Sequence, residues 1–371
     1  MSQVILLTGG AGFIGSHLAD ELLAHGYRVR ILDNLLDQVH GAEKRPDYLH
    51  PNVELIRGDI CDPQAVRYAC AGVDAVYHLA ARVGVGQSMY DIVKYIQTNN
   101  LGTAVLLEEL MQRPVGRLVV ASSMSIYGEG LYRRPDGTLT AGRERSLEQL
   151  KRGDWEVRDF DGQVLTPVPT PESKTPALAS VYALSKYDQE RLCLVVGRAY
   201  HIPTVALRFF NVYGTRQALS NPYTGVLAIF ASRLLNNNPP MIYEDGCQQR
   251  DFVNVRDLVR GCRLAMEVPG AADQVFNIGS GEPHTVLEIA ERMAAVLGKS
   301  HIRPQVVGKY RVGDIRHCVA DISLACQVLG YKPQVSLHTG MTELATWLAD
   351  QVAVDQVAEA NTELEKRGLT V

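Results

Sequence analysis

Short apolar runs alternate with amphipathic segments along the first part of the chain. The apolar runs are QVILLTGG, YRVRILD, VELIRGD, AVYHLAA and GRLVVASS, and their aliphatic, β-branched content is typical of buried parallel strands. Between them lie helix-like segments such as FIGSHLADELLAHG, which ends at Gly26, and NNLGTAVLLEELMQ. This alternation predicts an α/β fold with a doubly wound parallel sheet covered by helices on both faces.

The pattern changes after Gly128. Residues 129–176 contain several Gly and Pro residues and many charges without sustained periodicity, which predicts an insertion of loops with one short helix near SLEQLKRGDW. The insertion is either a lid over a binding site or a solvated excursion of the surface, and both interpretations stay open. A long helix, SVYALSKYDQERLCLVVGRAY, and a strand, PTVALRFFNVYG, follow.

The rest of the chain predicts a smaller mixed α/β C-terminal unit. Its helices are GVLAIFASRLLNN and TVLEIAERMAAVLG, with short strands between them. Residues 348–371 are charged and form either a helix or a frayed tail.

Composition and charge exclude several classes of partner. The 371 residues are 46% hydrophobic and 21% charged with a net charge of −4, which argues against nucleic acid or an anionic membrane. The seven cysteines are scattered without a C-x-x-C pair, so we expect reduced thiols in a cytoplasmic protein and no metal site. The sequence shows neither a signal peptide nor an apolar run long enough for a membrane helix.

A glycine-rich turn, TGGAGFIG, joins the first strand to the first helix. Gly9, Gly12 and Gly15 allow the backbone to turn tightly and to approach a pyrophosphate at the helix N-terminus. The glycines alone are also consistent with a simple tight turn. Asp33 at the end of the second strand supplies the carboxylate that accepts from ribose hydroxyls and repels a 2′-phosphate, so the pair predicts NAD rather than NADP.

Tyr182 and Lys186 in YALSK lie four residues apart, so both side chains project from one face of a helix. Such a pair on its own is most often a surface pair. The order of several motifs changes that interpretation: the glycine turn, LDNL, GDI (58–60), HLAA (78–81), SSMSIYG (122–128) and YALSK. In this order they resemble the extended short-chain dehydrogenase/reductase family, and most closely its nucleotide-sugar epimerases and dehydratases, over residues 4–347 apart from the insertion.

The resemblance implies a Rossmann sheet, a bound NAD and a catalytic triad. Tyr182 would be the acid/base, and Lys186 would lower the pKa of Tyr182 and hold the nicotinamide ribose. Ser123 would hydrogen-bond the reacting sugar oxygen. Ser122 is the alternative for that role, or else it caps the end of the strand.

The resemblance also implies the remaining contacts of the site. Those with the dinucleotide involve Phe13, Ile14, Asn34, Asp59, Ile60, Leu79, Ala80, Ala81, Asn99, Ser122 and Phe209. Those with the nucleotide diphosphate and its sugar involve Ser123, Ser125, Asn211, Arg250, Arg311 and Asp314. Tyr223 and Phe230 either line the substrate pocket or pack in a core.

The domain organisation follows from these assignments. We expect an NAD-binding domain over residues 1–205 and a mainly substrate-binding domain over residues 206–347, with part of 241–265 returning to the first domain. The resemblance also implies a homodimer, formed through the helices that contain residues 93–111 and 181–199.

Met124 and Ser125 restrict the reaction. Dehydratases of the resembled family carry Asp-Glu directly after the catalytic threonine, and decarboxylases keep a glutamate two places after the hydroxyl residue. Met124 and Ser125 cannot exchange a proton usefully near neutrality. We therefore expect reversible hydride transfer at one sugar carbon.

The reaction that fits this restriction best is that of a nucleotide-sugar 4-epimerase acting on a dTDP- or UDP-linked sugar. A 4-ketoreductase or dehydrogenase and a non-catalytic dinucleotide sensor are the alternatives. The motifs SIYGEG and NPYTGV and the insertion look most like enzymes acting on dTDP-linked 6-deoxyhexoses.

Overall fold

A computed structural model describes residues 2–41, 45–217, 225–311, 313–349, 362–363 and 365–370. The strands are β1 Val4–Thr8, β2 Arg28–Asp33, β3 Glu54–Arg57, β4 Ala75–His78, β5 Arg117–Ser123, β6 Leu131–Arg133, β7 Leu139–Ala141, β8 Thr166–Val168, β9 Thr204–Phe209, β10 Asn211–Tyr213, β11 Met241–Ile242, β12 Gln249–Asn254, β13 Val275–Ile278, β14 Pro283–Thr285, β15 Gln305–Val306 and β16 His317–Cys318.

The α-helices are α1 Phe13–Ala24, α2 Asp37–His40, α3 Pro63–Cys70, α4 Val85–Ser88, α5 Ile92–Tyr95, α6 Gly102–Gln112, α7 Leu147–Lys151, α8 Val181–Ala199, α9 Val226–Leu235, α10 Val255–Glu267, α11 Val286–Val296, α12 Ser323–Leu329 and α13 Leu337–Leu348. A π-helical segment, Ile96–Leu101, leads directly into α6. Short 3₁₀ turns cover Met124–Tyr127 and Pro269–Ala271.

The central sheet has seven parallel strands in the order β13-β9-β5-β4-β1-β2-β3. This confirms the doubly wound fold predicted from the alternating pattern. The direction in which strands are added reverses at β1, between β2 and β4. At such a reversal the connections leave in opposite directions, which opens a crevice at the carboxyl ends of the strands.

Apolar side chains fill a layer on each face of this sheet. One layer joins the sheet to α1, α10 and α12 through residues such as Leu18, Leu258 and Leu329. The other joins it to α3, α6 and α8 through residues such as Leu106 and Cys193. The strands are therefore buried on both sides, which is why they appear in the sequence as continuous apolar runs.

The single strand predicted over PTVALRFFNVYG is wrong. The structure divides it into β9 and β10, which lie in different sheets: Phe209 pairs with Ile278, whereas Asn211 pairs with Phe252. Phe210 is buried at the junction, so the apolar pattern continues although the pairing partner changes. The sequence-based boundary at residue 205 falls inside β9, and the seventh strand, β13, lies beyond the segment 241–265.

A second apolar core lies between α9, α11 and α13. Phe230, Ile289, Met293 and Leu344 are fully or almost fully buried in it. Phe230 therefore packs in a core, which decides between the two roles left open for it. Tyr223 lies outside the described residues.

The insertion contains the predicted short helix, α7, and also an antiparallel sheet in the order β7-β6-β8 that was not predicted. Backbone hydrogen bonds attach it to β16 and the residues that follow: Gly130 N–H donates to His317 O at 2.9 Å, and Thr170 N–H donates to Val319 O at 2.8 Å. The insertion is therefore bound to the C-terminal unit and is not a solvated excursion.

A buried ionic cluster strengthens this attachment. The Arg316 side chain is fully buried and donates to Glu156 at 2.6 Å, to Glu244 at 2.9 Å and to Asp245 at 2.6 Å. The Arg316 backbone N–H donates to Glu129 Oε1 at 2.7 Å. Glu129 and Glu156 belong to the insertion and the other three residues to the C-terminal unit, so the cluster joins the two.

Two further observations concern the described residues as a whole. They contain no helix long and apolar enough to cross a membrane. They also contain no group of three or more His, Cys, Asp or Glu side chains arranged to hold a metal ion. Of the tail predicted over 348–371, residues 350–361, 364 and 371 lie outside the described residues, and Thr370 forms an antiparallel bridge with Arg311.

We expect Arg316→Met to lower the free energy of unfolding by about 3–5 kcal/mol, because it removes the buried cation that pairs with Glu156, Glu244 and Asp245 and leaves Arg145 as the cation beside the buried Glu244. Denaturant unfolding followed by circular dichroism measures the change. Arg292→Met is the control, since Arg292 pairs with Glu288 at the surface and its loss should cost less than about 1 kcal/mol. Equal effects of the two substitutions would show that the cluster does not hold the insertion.

Candidate active site

A cavity of about 800 Å³ lies at the carboxyl ends of the central strands. Its wall contains residues from the glycine turn, β5, α8 and the ends of β2, β4 and β9. Of the residues predicted for cofactor and catalysis, it is lined by Gly9, Gly12, Phe13, Ile14, Gly15, Asp33, Asn34, Ile60, Leu79, Ala80, Ala81, Ser122, Ser123, Tyr182, Lys186 and Phe209. Segments far apart in the sequence thus meet at the crevice that the strand order creates.

The glycine turn fits a dinucleotide. Gly9 has a positive φ of 67°, and a Cβ there would lie 2.7 Å from Ala80 Cα. A Cβ on Gly15 would lie 2.5 Å from Gly10 Cα, so this position also requires glycine. A Cβ on Gly12 would meet only Gly9 O, at 3.5 Å, so Gly12 leaves the approach to the N-terminus of α1 open for a pyrophosphate.

The Asp33 carboxylate is fixed at the end of β2. Its Oδ2 accepts from Ala11 N–H at 3.0 Å, and its Oδ1 accepts from Leu35 N–H at 2.9 Å. The side chain is buried and lines the cavity next to the glycine turn. A carboxylate fixed at this place would repel a 2′-phosphate on the ribose of a bound dinucleotide, which agrees with a preference for NAD.

Two predicted cofactor residues, Asp59 and Asn99, do not line the cavity: Asp59 is exposed and Asn99 is buried. Asp59 Oδ2 accepts from Asn34 Nδ2 at 2.9 Å. Burial opposes the charged form of Asp59, but hydrogen bonds from Cys61 and Asn34 lower the pKa of this carboxyl overall. Asn99 Oδ1 accepts from Arg82 N–H at 2.7 Å, so Asn99 fixes the position of the loop that follows β4.

Tyr182 and Lys186 extend from α8 into the same cavity, as their spacing predicts. Burial raises the pKa of the Tyr182 phenol, and a hydrogen bond with Ser123 lowers it only in part. We expected Lys186 to lower the pKa of Tyr182, but burial outweighs any such effect in the protein without a bound dinucleotide. Burial lowers the pKa of the Lys186 ammonium to about 8, and this group donates to Gln189 Oε1 at 2.6 Å.

The two adjacent serines at the end of β5 have different environments. Ser122 Oγ donates to Glu190 Oε2 at 2.6 Å, and Glu190 is itself paired with Arg208 at 2.7 Å. Ser123 Oγ instead accepts from Ser125 Oγ at 2.9 Å and is hydrogen-bonded with Tyr182. This arrangement favours Ser123 as the hydroxyl that meets a substrate.

The residues predicted for the substrate side do not line the main cavity, apart from Ser123. Arg250 donates to the backbone carbonyls of Ile315 and Arg316, and its Nη2 lies 3.5 Å from Asp314 Oδ1. The structure therefore brings Arg250 in β12 and Asp314, which precedes β16, together where these two strands pair.

Arg311 and Asn211 are placed differently. The Arg311 guanidinium lies 4.3 Å from the centre of the Tyr243 ring. Arg311 Nε and Asn211 Oδ1 are buried without a hydrogen-bond partner among the described residues. These two groups keep hydrogen-bonding capacity that a ligand can use.

Several residues of the cavity wall were missed by the sequence analysis. Tyr48 donates through its hydroxyl to Ala11 O at 2.8 Å, and Arg216 lies 5.6 Å from the Tyr48 ring. Trp347 reaches the wall from α13, near the end of the described chain. No motif or periodicity marks these residues, because they come from a loop, a turn and a distant helix.

Comparisons with known proteins identify the family and several relatives of the chain. Residues 5–146 and 162–279 match the NAD dependent epimerase/dehydratase family. The chain is 35% identical to a dTDP-L-rhamnose 4-epimerase of Burkholderia thailandensis over 94% of this chain and 95% of that one. It is also 29% identical to a dTDP-glucose 4,6-dehydratase of an Actinoplanes species, over 92% of this chain and 97% of that one.

A solved structure of UDP-glucuronic acid 4-epimerase from Bacillus cereus, in complex with UDP-glucuronic acid and NAD, is also similar. The two chains superpose with a TM-score of 0.77 at 29% sequence identity, over 94% of this chain and 99% of that one. This likeness extends beyond the central sheet to the C-terminal unit.

We expect Asp33→Asn to weaken NAD binding about tenfold and to raise the affinity for NADP relative to NAD. The amide keeps the size of the side chain but removes its charge and places an N–H group against a backbone donor. Isothermal titration with both dinucleotides measures the two affinities. Asp37→Asn on the exposed face of α2 is the control. If the ratio of the NAD and NADP affinities stays unchanged in Asp33→Asn, Asp33 is not the residue that selects NAD.

Proposed function

The chain belongs to the NAD-dependent epimerase/dehydratase family, and we propose that within this family it is a nucleotide-sugar 4-epimerase. The observation that carries the proposal is the side chain after Ser123. Met124 is buried and packs with Ile126, Phe210 and Ala320, in the position where the dehydratases carry an acid. A thioether cannot protonate a departing hydroxyl.

The neighbouring positions do not supply the missing acid. Ser125 uses its hydroxyl to donate to Ser123. In the described part of the cavity wall the carboxylates are Asp33 and Asp47, and Asp33 lies beside the glycine turn. Elimination or decarboxylation would need a second acid or base beside Tyr182, and the described part of the wall offers none next to Ser123, so we favour redox chemistry at one carbon.

The residues present suffice for epimerisation. The Tyr182 phenolate takes the proton of the sugar 4-hydroxyl, and Ser123 hydrogen-bonds the same oxygen. The glycine turn and Asp33 would hold NAD, which when bound would supply a reversible hydride acceptor for C4 and a positive charge that favours the phenolate. The 4-keto sugar would turn over while its diphosphate stays anchored, and Tyr182 would return the proton to the C4 oxygen as that carbon is reduced, which forms the new hydroxyl.

We propose a dTDP-linked 6-deoxyhexose as the substrate class. Support comes from the 35% identity to a dTDP-L-rhamnose 4-epimerase over nearly the whole chain. UDP-linked sugars are the second class, because the B. cereus enzyme binds UDP-glucuronic acid. Of the two arginines predicted for the diphosphate, Arg311 keeps a buried Nε without a hydrogen-bond partner among the described residues, whereas Arg250 already donates to two backbone carbonyls. We therefore propose Arg311 as the cation that binds the diphosphate.

We expect the purified protein to interconvert C4 epimers of at least one dTDP- or UDP-linked hexose without net consumption of NAD. A panel of these sugars, followed by NMR of the sugar ring, measures the reaction. Tyr182→Phe should lower turnover by at least a factor of about 100 and keep the bound NAD, because it removes only the acid/base hydroxyl.

A panel left unchanged at C4 would contradict the proposal. Consumption of added NADPH with a 4-keto sugar nucleotide would instead support the ketoreductase. Full activity of Tyr182→Phe would refute the assignment of the triad.

We also propose that the protein is a homodimer, and an exposed apolar surface supports this. Leu184 and Val195 on α8 are 43% and 57% exposed, and Val93 and Leu101 on the adjoining helical segment are 68% and 50% exposed. Asn100 Nδ2 donates to Asp188 Oδ2 at 2.7 Å and holds the two segments side by side. Several large apolar side chains exposed on two adjoining helices are typical of an interface.

We expect Val195→Asp to shift the protein from dimer to monomer, because it places a charge in an apolar interface. Analytical ultracentrifugation measures the molecular mass. Val164→Asp is the control, since Val164 is 44% exposed on the insertion, away from α8. A monomeric wild-type protein, or a dimer that persists in Val195→Asp, would contradict the proposal.

A further inference from the structure

The catalytic lysine is held by a neutral side chain. Lys186 Nζ donates to Gln189 Oε1 at 2.6 Å, and both side chains are buried. The two residues lie three positions apart on α8, so the helix itself brings them together. An ammonium has three N–H donors, and this bond uses one of them.

The orientation of the Gln189 amide is fixed from the other side. Thr103 gives its hydroxyl proton to Asn99 O, so its oxygen can only accept from the remaining neighbours. Gln189 Nε2 donates to Thr103 Oγ1 at 3.0 Å, and His78 Nε2 lies 2.8 Å from the same oxygen. The amide nitrogen therefore faces Thr103, and the amide oxygen must face Lys186.

His78 extends this chain of hydrogen bonds to the glycine turn. Its Nε2 lies 2.8 Å from Thr103 Oγ1 and 3.1 Å from Gln189 Nε2, and its Nδ1 lies 2.8 Å from the hydroxyl of Thr8. Burial and the nearby Lys186 lower the pKa of His78 to about 3, so the ring is neutral at working pH. The support for Gln189 thus carries no charge.

The charged residue beside Gln189 is used elsewhere. Glu190 is buried and binds Arg208 at 2.7 and 3.0 Å and Ser122 at 2.6 Å. The order Gln-Glu along α8 therefore points the amide to the lysine and the carboxylate to an arginine. Reversal of that order would pair the lysine with a negative charge and cancel its field at the cavity.

We propose that Gln189 is a positioning residue for the catalytic lysine. Its side-chain oxygen holds the Lys186 ammonium at the cavity wall through one N–H and leaves the other two N–H groups and the full positive charge for the reacting groups. The role of the lysine rests on the proposed function, but the contact between the two side chains does not.

The other titratable groups around Lys186 determine the expected pH dependence. Burial lowers the pKa of the lysine to about 8, and the weaker opposing effects come from Cys193 and Glu190 on the same helix. Burial raises the pKa of the Cys193 thiol to about 12, and that of Tyr182 also lies above its ordinary value, so both are neutral near pH 8. His78 is neutral as well, and the carboxylate of Glu190 is neutralised by Arg208.

We expect two variants of Gln189 to move the pKa of Lys186 in opposite directions. Gln189→Glu places an opposite charge on the ammonium and should raise its pKa by about one unit or more. Gln189→Met removes the acceptor at nearly the same volume and should lower the pKa by about one unit. NMR of protein labelled with ¹³C at the lysine ε-carbon measures the titration, and Lys186→Arg assigns the signal.

The pH profile of turnover provides the second measurement. Activity that needs the protonated lysine falls as the pH rises through its pKa, so the basic limb should move to higher pH in Gln189→Glu and to lower pH in Gln189→Met. Gln64→Glu, on an exposed position of α3, is the control and should leave both readouts unchanged.

The outcomes separate this proposal from the proposed function. Titrations that shift in opposite directions support the role of Gln189 even if no sugar nucleotide is turned over. A Lys186 pKa that moves by less than about half a unit in Gln189→Glu, or that moves the same way in both variants, would overturn it. If Gln189→Met does not fold, Gln189→Glu alone still decides through the direction of its shift.

Discussion

The site depends on the close crossing of two backbone turns above β1 and β4. A side-chain carbon on Gly9 would come within 2.7 Å of Ala80 Cα, so only hydrogen fits between them. Thr8 fixes the crossing, because its carbonyl accepts from Leu79 N–H at 3.1 Å and its hydroxyl accepts from Ala80 N–H at 3.3 Å. The turns diverge from this point since the strand order reverses there. The cavity is the space left between them.

Helix α8 carries buried charges in two different settings. Glu190 meets a full opposite charge on Arg208, and the pair joins the helix to the neighbouring strand β9. Lys186, one turn earlier, meets only an amide oxygen. The electric field of a paired charge is largely cancelled by that of its partner. An unpaired charge acts on its surroundings through a medium of low dielectric constant. The same helix is therefore held to the sheet through Glu190 and places a positive charge at the cavity through Lys186.

Much of the fold and part of the site could be predicted from the sequence. Strands such as β1 and β5 are buried on both faces and leave continuous apolar runs, and the glycine turn with Asp33 has a spacing that reflects its geometry. Tyr48 and Trp347 could not be assigned, because only the folded chain brings a loop and the last long helix to the same wall. The sheet of the insertion was missed since each strand has three residues, which is too short to show a period of two.

The attachment of the insertion has a consequence for biosynthesis. Glu129 and the backbone of Arg316 meet across 187 positions of sequence. When residues 129–176 leave the ribosome, the residues that pair with them have not yet been made. The strand ends and carboxylates of the insertion therefore stay hydrated while the chain lengthens. Contacts of such long range form late and expose unpaired edges in the interval. Nascent chains that stop before residue 316 therefore leave the edges of this region unpaired, and its folding is completed only after residue 316 has been made.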